Sequence, residues 1–224
     1  MTLQSLTMVR HGESASNAAA ARLAHTDAEE FGDGTRDPDV PLTDLGRRQA
    51  TAVGTWLAGQ SGRRWTVLCS PYLRARETAS LALESIDSAP VRVDERLRDR
   101  DIGTLQGLTD RGWNRRYPDE RLRRERLGRF YYRPPGGESW TDVALRLRTL
   151  LPELSGHVLV FAHDIVVVMT RYILEGLDEQ AILGIERNQI RNGSVSRWER
   201  DGAGLTPVYY NATAHLDRLD GRVL

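Results

Sequence analysis

Short apolar runs recur along this chain and alternate with segments of helical periodicity, which leaves few folds open to it. Ser5–Val9, Trp65–Ser70, Val91–Val93 and His157–Ala162 read as strands. The first and last of these are apolar almost throughout, as strands covered on both faces are. Between them, Asp44–Ala58 places Ala50, Val53 and Leu57 on one stripe, starts behind Thr43 as N-cap and stops at Gly59 and Gly62. Arg74–Ser85, Trp140–Leu151 behind a Ser139 cap, and Ile165–Glu175 before Gly176 read as further helices. "SVSRWER" and "TPVYYN" form a closing hairpin about Asp201–Gly204. Strands alternating with helices predict an α/β fold with a mostly parallel sheet and helices on both faces. No repeat or low-complexity linker divides the chain, so residues 1–224 are expected to form one domain. The Arg-rich stretch Thr109–Gly137, with its "RPPGG", breaks the alternation and is expected to be an insertion over one end of the sheet.

Composition narrows the partners. All 31 basic residues are arginine and they balance 31 acidic ones, so no net field draws the chain to nucleic acid or to an anionic membrane. Without lysine, Schiff-base chemistry is excluded. The one cysteine, Cys69, allows neither an intrachain disulfide nor a cysteine metal cluster, which suits a reducing compartment. The apolar stretches "VLVFA" and "IVVVM" fall far short of the roughly 20 residues that a membrane span needs. No basic segment leading into an apolar run opens the chain, so a cytoplasmic location is expected. Asn192 and Asn211 begin N-x-[ST] triplets that are then chance matches. His25, His157 and His215 belong to no pattern and are expected at the surface.

In open α/β sheets, ligands bind beyond the carboxyl ends of the strands. Here the first strand ends in Arg10-His11-Gly12, the second runs into "SPYLRARETA" with Arg74 opening a helix, and the fourth ends in Ala162-His163-Asp164. The third is followed by "DERLRDRDIG". Two histidines, two arginines and a set of carboxylates therefore meet in one cleft. Arginine forks bind a tetrahedral oxyanion bidentately. A neutral imidazole can attack phosphorus, a second histidine can donate to the phosphoryl oxygens, and a carboxyl can protonate a leaving oxygen and then activate water. Arginines can supply the charge stabilisation of phosphoryl transfer, so neither metal nor cofactor is expected.

Six stretches in fixed order make the chain resemble the histidine phosphatase superfamily, in its phosphoglycerate mutase-like branch: "VRHGESASN", "PLTDLGRRQA", "SPYLRARETA", "RDRDIGTLQG", "PPGGES" and "VFAHD", extended by "NGSVSRWE". The resemblance implies a three-layer sandwich around a mostly parallel six-stranded sheet. It also implies that His11 is the phospho-accepting nucleophile and that Arg10, Arg74 and His163 form the phosphate pocket. Gly12, Asn17, Arg100 and Asp164 would help bind substrate, Glu138 and Ser139 would open the "GES" helix, and Asp99 would stand where the family has a glutamate acid/base. Asp99 is one methylene shorter than that glutamate. The second histidine is followed by Asp164, similar to the His-Asp pair of the acid phosphatase branch, whose aspartate donates the proton. Asp99, Asp164, Glu95 and Asp101 thus all compete as the acid. Asp164 could equally cap the helix at Ile165, and Asn17 could cap an alanine-rich helix.

The family implies either a phosphatase or a mutase from the same phosphohistidine. The tyrosine and lysine that hold phosphoglycerate in the mutases are replaced by Ile102 and Asp110, which favours a metal-independent phosphomonoester hydrolase. The alternatives are a mutase-like phosphotransferase and a catalytically weak binder of phosphorylated ligands. The expected partner is a small phosphorylated substrate, and the expected state is monomer or homodimer. Arg129 or Arg133 could reach a second acidic group. Aromatic residues among the arginines of 111–133 suit nucleic-acid stacking, but interspersed acids favour a salt-bridged insertion.

Overall fold

The computed structural model describes residues 2–60, 63–84, 86, 90–186, 188–202, 204–217 and 219. In chain order the elements are β1 (Leu3–Arg10), α1 (Ala15–Leu23), α2 (Asp44–Ala58), β2 (Trp65–Cys69), α3 (Leu73–Leu83), β3 (Arg92–Val93), α4 (Asp110–Arg116), α5 (Pro118–Tyr131), α6 (Trp140–Leu150), β4 (Gly156–Ala162), α7 (Asp164–Leu174), α8 (Glu179–Glu186), β5 (Val195–Asp201) and β6 (Gly204–Ala212). The six strands form one sheet in the order β3-β2-β4-β1-β5-β6. The first four run parallel, β5 pairs antiparallel with β1, and β6 turns back antiparallel to β5 in the expected hairpin. This is the mixed sheet flanked by helices that the resemblance implied.

Side-chain alternation divides the core into two layers. Leu6 and Met8 of β1, with Val158 and Val160 of β4, face α6, α7 and Ile182 of α8. Val9, Leu159, Phe161 and Val67 face Val53 and Leu57 of α2 and the alanines Ala75, Ala79 and Ala82 of α3. Chain segments therefore leave β1 and β4 toward opposite faces. Those two strands are neighbours, so a topological switch point lies between them, where ligands bind in such sheets.

Helix starts follow the expected chemistry. Thr43 caps α2 by accepting from the Gly46 amide, and Ser139 caps α6 in a reciprocal box with Asp142. Gly62 and Ser85, expected at two helix ends, lie outside the described residues. Asp164 is not an N-cap: His163 holds that position, and Asp164 is the first residue of α7. The Arg-rich stretch forms α4 and α5, kinked at Gly128. Its arginines pair with acids: Arg111 with Asp27, Arg115 with Glu29, Arg116 with Glu29 and Glu30, and Arg133 with Asp142. Among the described residues no helix is long and apolar enough to cross a membrane.

Two motif glycines explain each other. A Cβ on Gly12 would lie 2.3 Å from the Gly46 carbonyl oxygen, and one on Gly46 would lie 2.1 Å from that of Glu13. The loop after β1 thus crosses the start of α2 backbone against backbone, and no rotamer change relieves a methyl group there. Gly46→Ala is expected to cost about 1–3 kcal/mol, the usual penalty for overpacking. Denaturant unfolding checks this, and a wild-type midpoint would contradict the crossing.

Candidate active site

Strand register builds the site. Arg10 pairs with Ala162 and Cys69 pairs with Phe161, so β1, β2 and β4 end at one level. The His11 amide donates to the Ala162 carbonyl at 3.0 Å and the Ser70 amide to that of Phe161 at 2.9 Å. The residues just beyond these strands are therefore brought together. The His11 and His163 rings meet edge to face at 5.1 Å between centroids. One ring nitrogen from each histidine and one Asp99 carboxylate oxygen lie within 4.8 Å of one another.

His11 is 2% exposed. Its Nδ1 sits 2.7 Å from the Gly12 carbonyl oxygen. A carbonyl only accepts, so Nδ1 carries the proton and Nε2 keeps its lone pair. Burial pushes the His11 pKa well below its ordinary value of 6.5, and the nearby charges of His163, Arg10 and Arg74 push it further, against the opposing Gly12 carbonyl. A depressed pKa keeps the ring neutral at pH values where an ordinary histidine is already protonated. Titration of the imidazole signals by NMR is expected to give His11 a midpoint below 6.5. A midpoint near 6.5 would contradict this.

His163 is fully buried. Its Nε2 lies 2.8 Å from the Ser70 hydroxyl, which also accepts from the Tyr72 amide. Nδ1 is buried 3.2 Å from Asp99 Oδ2 but without hydrogen-bond alignment. Arg74, 4% exposed at the start of α3, donates Nη2 to Asp99 Oδ2 at 2.8 Å. Burial raises the Asp99 pKa, but His163, Arg74 and His11 together outweigh it and hold the carboxyl well below the ordinary carboxylate range. Asp99 Oδ1 accepts from the Arg100 amide. Around it, Glu138 pairs with Arg98 and Arg146, while Arg146 donates to the Arg96 and Asp99 carbonyls, fixing the 96–101 loop.

Asp164 lines the cleft of this site at its exposed side. Its side chain is 49% exposed and 3.6 Å from Arg10 Nη2, and its other oxygen accepts from the Ile165 amide. Arg10 donates to the Ile190 carbonyl and buries its Nε without a partner. The Gly12 amide is committed to the Thr78 hydroxyl. Asn17 is not the cap of its helix: Ser14 holds that position, and Asn17, two residues inside α1, accepts from the Ser14 amide in a reciprocal box and from Asn192. Asn192 also donates to the His11 and Gly12 carbonyls, so one of the two triplets set aside as chance belongs to the site loop. His215 and His157, expected at the surface, are half-buried, the first on the Gly193 carbonyl and the second on the Ser5 hydroxyl. Arg129, Arg100, Ile102 and Asp110 line the cleft, whose volume is about 780 Å³. Arg133 is held by Asp142 instead.

His11, Asp99 and His163 are close enough to share a cation. The guanidinium of Arg74 already neutralises the one carboxylate among them, so the donor set suits an oxyanion better than a divalent metal.

A mixed sheet with histidines from β1 and β4 and arginines from β1 and α3 over its carboxyl edge defines a class of phosphate-ester sites. The comparisons agree. The family model for the histidine phosphatase superfamily (branch 1) matches residues 6–213, and the chain belongs to that superfamily. It is similar to the 2,3-bisphosphoglycerate-dependent phosphoglycerate mutase of Methylorubrum populi, 32% identical over 190 residues, covering 81% of this chain and 84% of that one. Phosphoglycerate mutase 2 of Gloeobacter violaceus is 34% identical over 202 residues, covering 83% and 80%. Among solved structures, mycobacterial glucosyl-3-phosphoglycerate phosphatase in complex with VO3 superposes with a TM-score of 0.74 at 26% identity, covering 94% of this chain and 100% of that one.

Proposed function

We propose that this protein hydrolyses phosphomonoesters without a metal, through a phosphohistidine on His11. The observation that carries the proposal is the buried His11, its Nδ1 held by the Gly12 carbonyl and its Nε2 left open, with Arg74, His163 and Asp99 around it. In the first half-reaction Nε2 attacks phosphorus, the bond from phosphorus to the ester oxygen breaks, and Asp99 gives that oxygen a proton. In the second, water attacks phosphorus, Asp99 takes the water's proton, the N–P bond breaks and inorganic phosphate leaves. Asp99 is ionised in the free protein, so its proton arrives with the substrate monoanion or from solvent. Arg10, Arg74 and His163 Nδ1 neutralise the phosphoryl oxygens throughout. Arg100 and Arg129, which line the same cleft, would meet the rest of the substrate.

The names of the curated relatives favour a second reading, phosphate transfer within phosphoglycerate. Asp110 on the cleft wall speaks against it, because a carboxylate there repels a second anionic group where the mutases have a lysine. The test is phosphate release from p-nitrophenyl phosphate in EDTA, run beside 2- and 3-phosphoglycerate with bisphosphoglycerate priming. Chelator-resistant release is expected. Isomerisation without release would favour the mutase, and loss of release in EDTA would contradict the metal-free proposal.

A further inference from the structure

Arg74 meets a second carboxylate that no sequence pattern singled out. Asp37, in the 3-10 turn Asp37–Asp39, accepts Arg74 Nη1 on its backbone carbonyl at 2.7 Å and on Oδ1 at 3.1 Å, and Nη2 on Oδ2 at 3.3 Å. Asp99 takes Nη2 at 2.8 Å. Two terminal nitrogens offer four N–H groups, and these four contacts match them. A phosphoryl oxygen can therefore reach the terminal nitrogens of Arg74 only by displacing one of these acceptors. Asp37 grips with three acceptor contacts and Asp99 with one, so Asp99 is the partner that yields.

We infer that Asp37 is a positioning residue that holds Arg74 by its outer edge and frees Asp99 from it when phosphate binds, leaving Asp99 able to carry a proton. The inference rests on the hydrolase reading above. Asp99 is faced by Arg74 from α3, His163 from the head of α7, His11 from the end of β1 and the Tyr72 ring, with Arg100 and Asp101 beside it in the chain and Arg146 on its carbonyl. Asp37 is the negative charge across Arg74 from it. Without that charge, Arg74 would pair with Asp99 alone and hold it ionised to lower pH, and the cleft would repel an incoming oxyanion less.

Asp37→Asn keeps the shape and removes the charge. Its turnover is expected to fall several-fold and the alkaline limb of its kcat profile to move down by about one pH unit. Inorganic phosphate is expected to raise its melting temperature more than that of the wild type at equal concentration. Asp37→Glu, which restores the charge, is expected to return the profile toward wild type. Weaker phosphate stabilisation with an unmoved pH profile would overturn the inference and leave Asp37 a purely structural contact. The phosphate arm needs no turnover. A wild type that binds phosphate but hydrolyses nothing would sink the hydrolase reading, while the comparison of phosphate binding would still judge Asp37.

Discussion

Alanine at His11 is expected to cut phosphate release on the order of 10⁴–10⁶-fold, the range seen when a covalent nucleophile is removed. The size of the effect follows from geometry. His11 Nε2 is left open for attack, since Nδ1 is tied to the Gly12 carbonyl, whereas His163 has Nε2 on Ser70 and Nδ1 buried against Asp99. Among the described residues, the usual substitutes for a nucleophile are weak here: Cys69 is buried within β2, its thiol pushed up to about 12 by burial, and the chain has no lysine. The variant should still fold, because the sheet register and both core layers are built from other residues. Steady-state assays paired with a thermal melt check this. Residual release within about tenfold of wild type, in a folded variant, would rule His11 out as the attacking group.

The second large effect concerns the acid. Asp99→Asn is expected to lower turnover by about 10²–10⁴-fold, as loss of a general acid does. Asp164→Asn should stay within about fivefold, because its exposed contact with Arg10 is of the weakly contributing kind. The distinction rests on position: Asp99 lies among the ring nitrogens of His11 and His163, whereas Asp164 is half-exposed beside Arg10. The two variants are compared on an activated aryl phosphate and on an alkyl phosphate. A poor leaving group needs the proton more, so the Asp99 effect should be larger on the alkyl ester. The reverse ranking of Asp99 and Asp164 would move the acid to the head of α7.

The candidate site is legible in the sequence because strand ends are legible. An apolar run that stops at Arg10-His11 or at His163 marks both the strand and the place where it presents its chemistry, and parallel pairing then brings the ends to one level. The helices α4 and α5 were not legible. Within α5 only Phe130 is buried, so no apolar stripe announces a helix among the arginines. The helix α8 was also missed, although Ile182 packs in the core. Asp37 gave no signal, since it reaches Arg74 from a loop of no periodicity through packing that brings residues 37 apart in sequence together. Ser70 and Asn192 lay inside quoted motifs, but only the structure shows that one anchors the second histidine and the other ties the loop after β1 to Asn17. Asp164 shows how little neighbourhood in sequence says of direction: it follows His163, yet the turn into α7 sets it on the cleft wall beside Arg10 rather than between the two histidines.

The central claim is that phosphate passes through a covalent bond to His11. The most direct measurement mixes enzyme with a phosphomonoester, quenches in alkali within the first turnovers, and maps the modified peptide by mass spectrometry. A phosphoryl group on the peptide carrying His11, lost on acidification and absent from Asn-substituted His11, is the predicted result. Burst kinetics with no acid-labile adduct on that peptide, or an adduct on any other residue, would contradict the account.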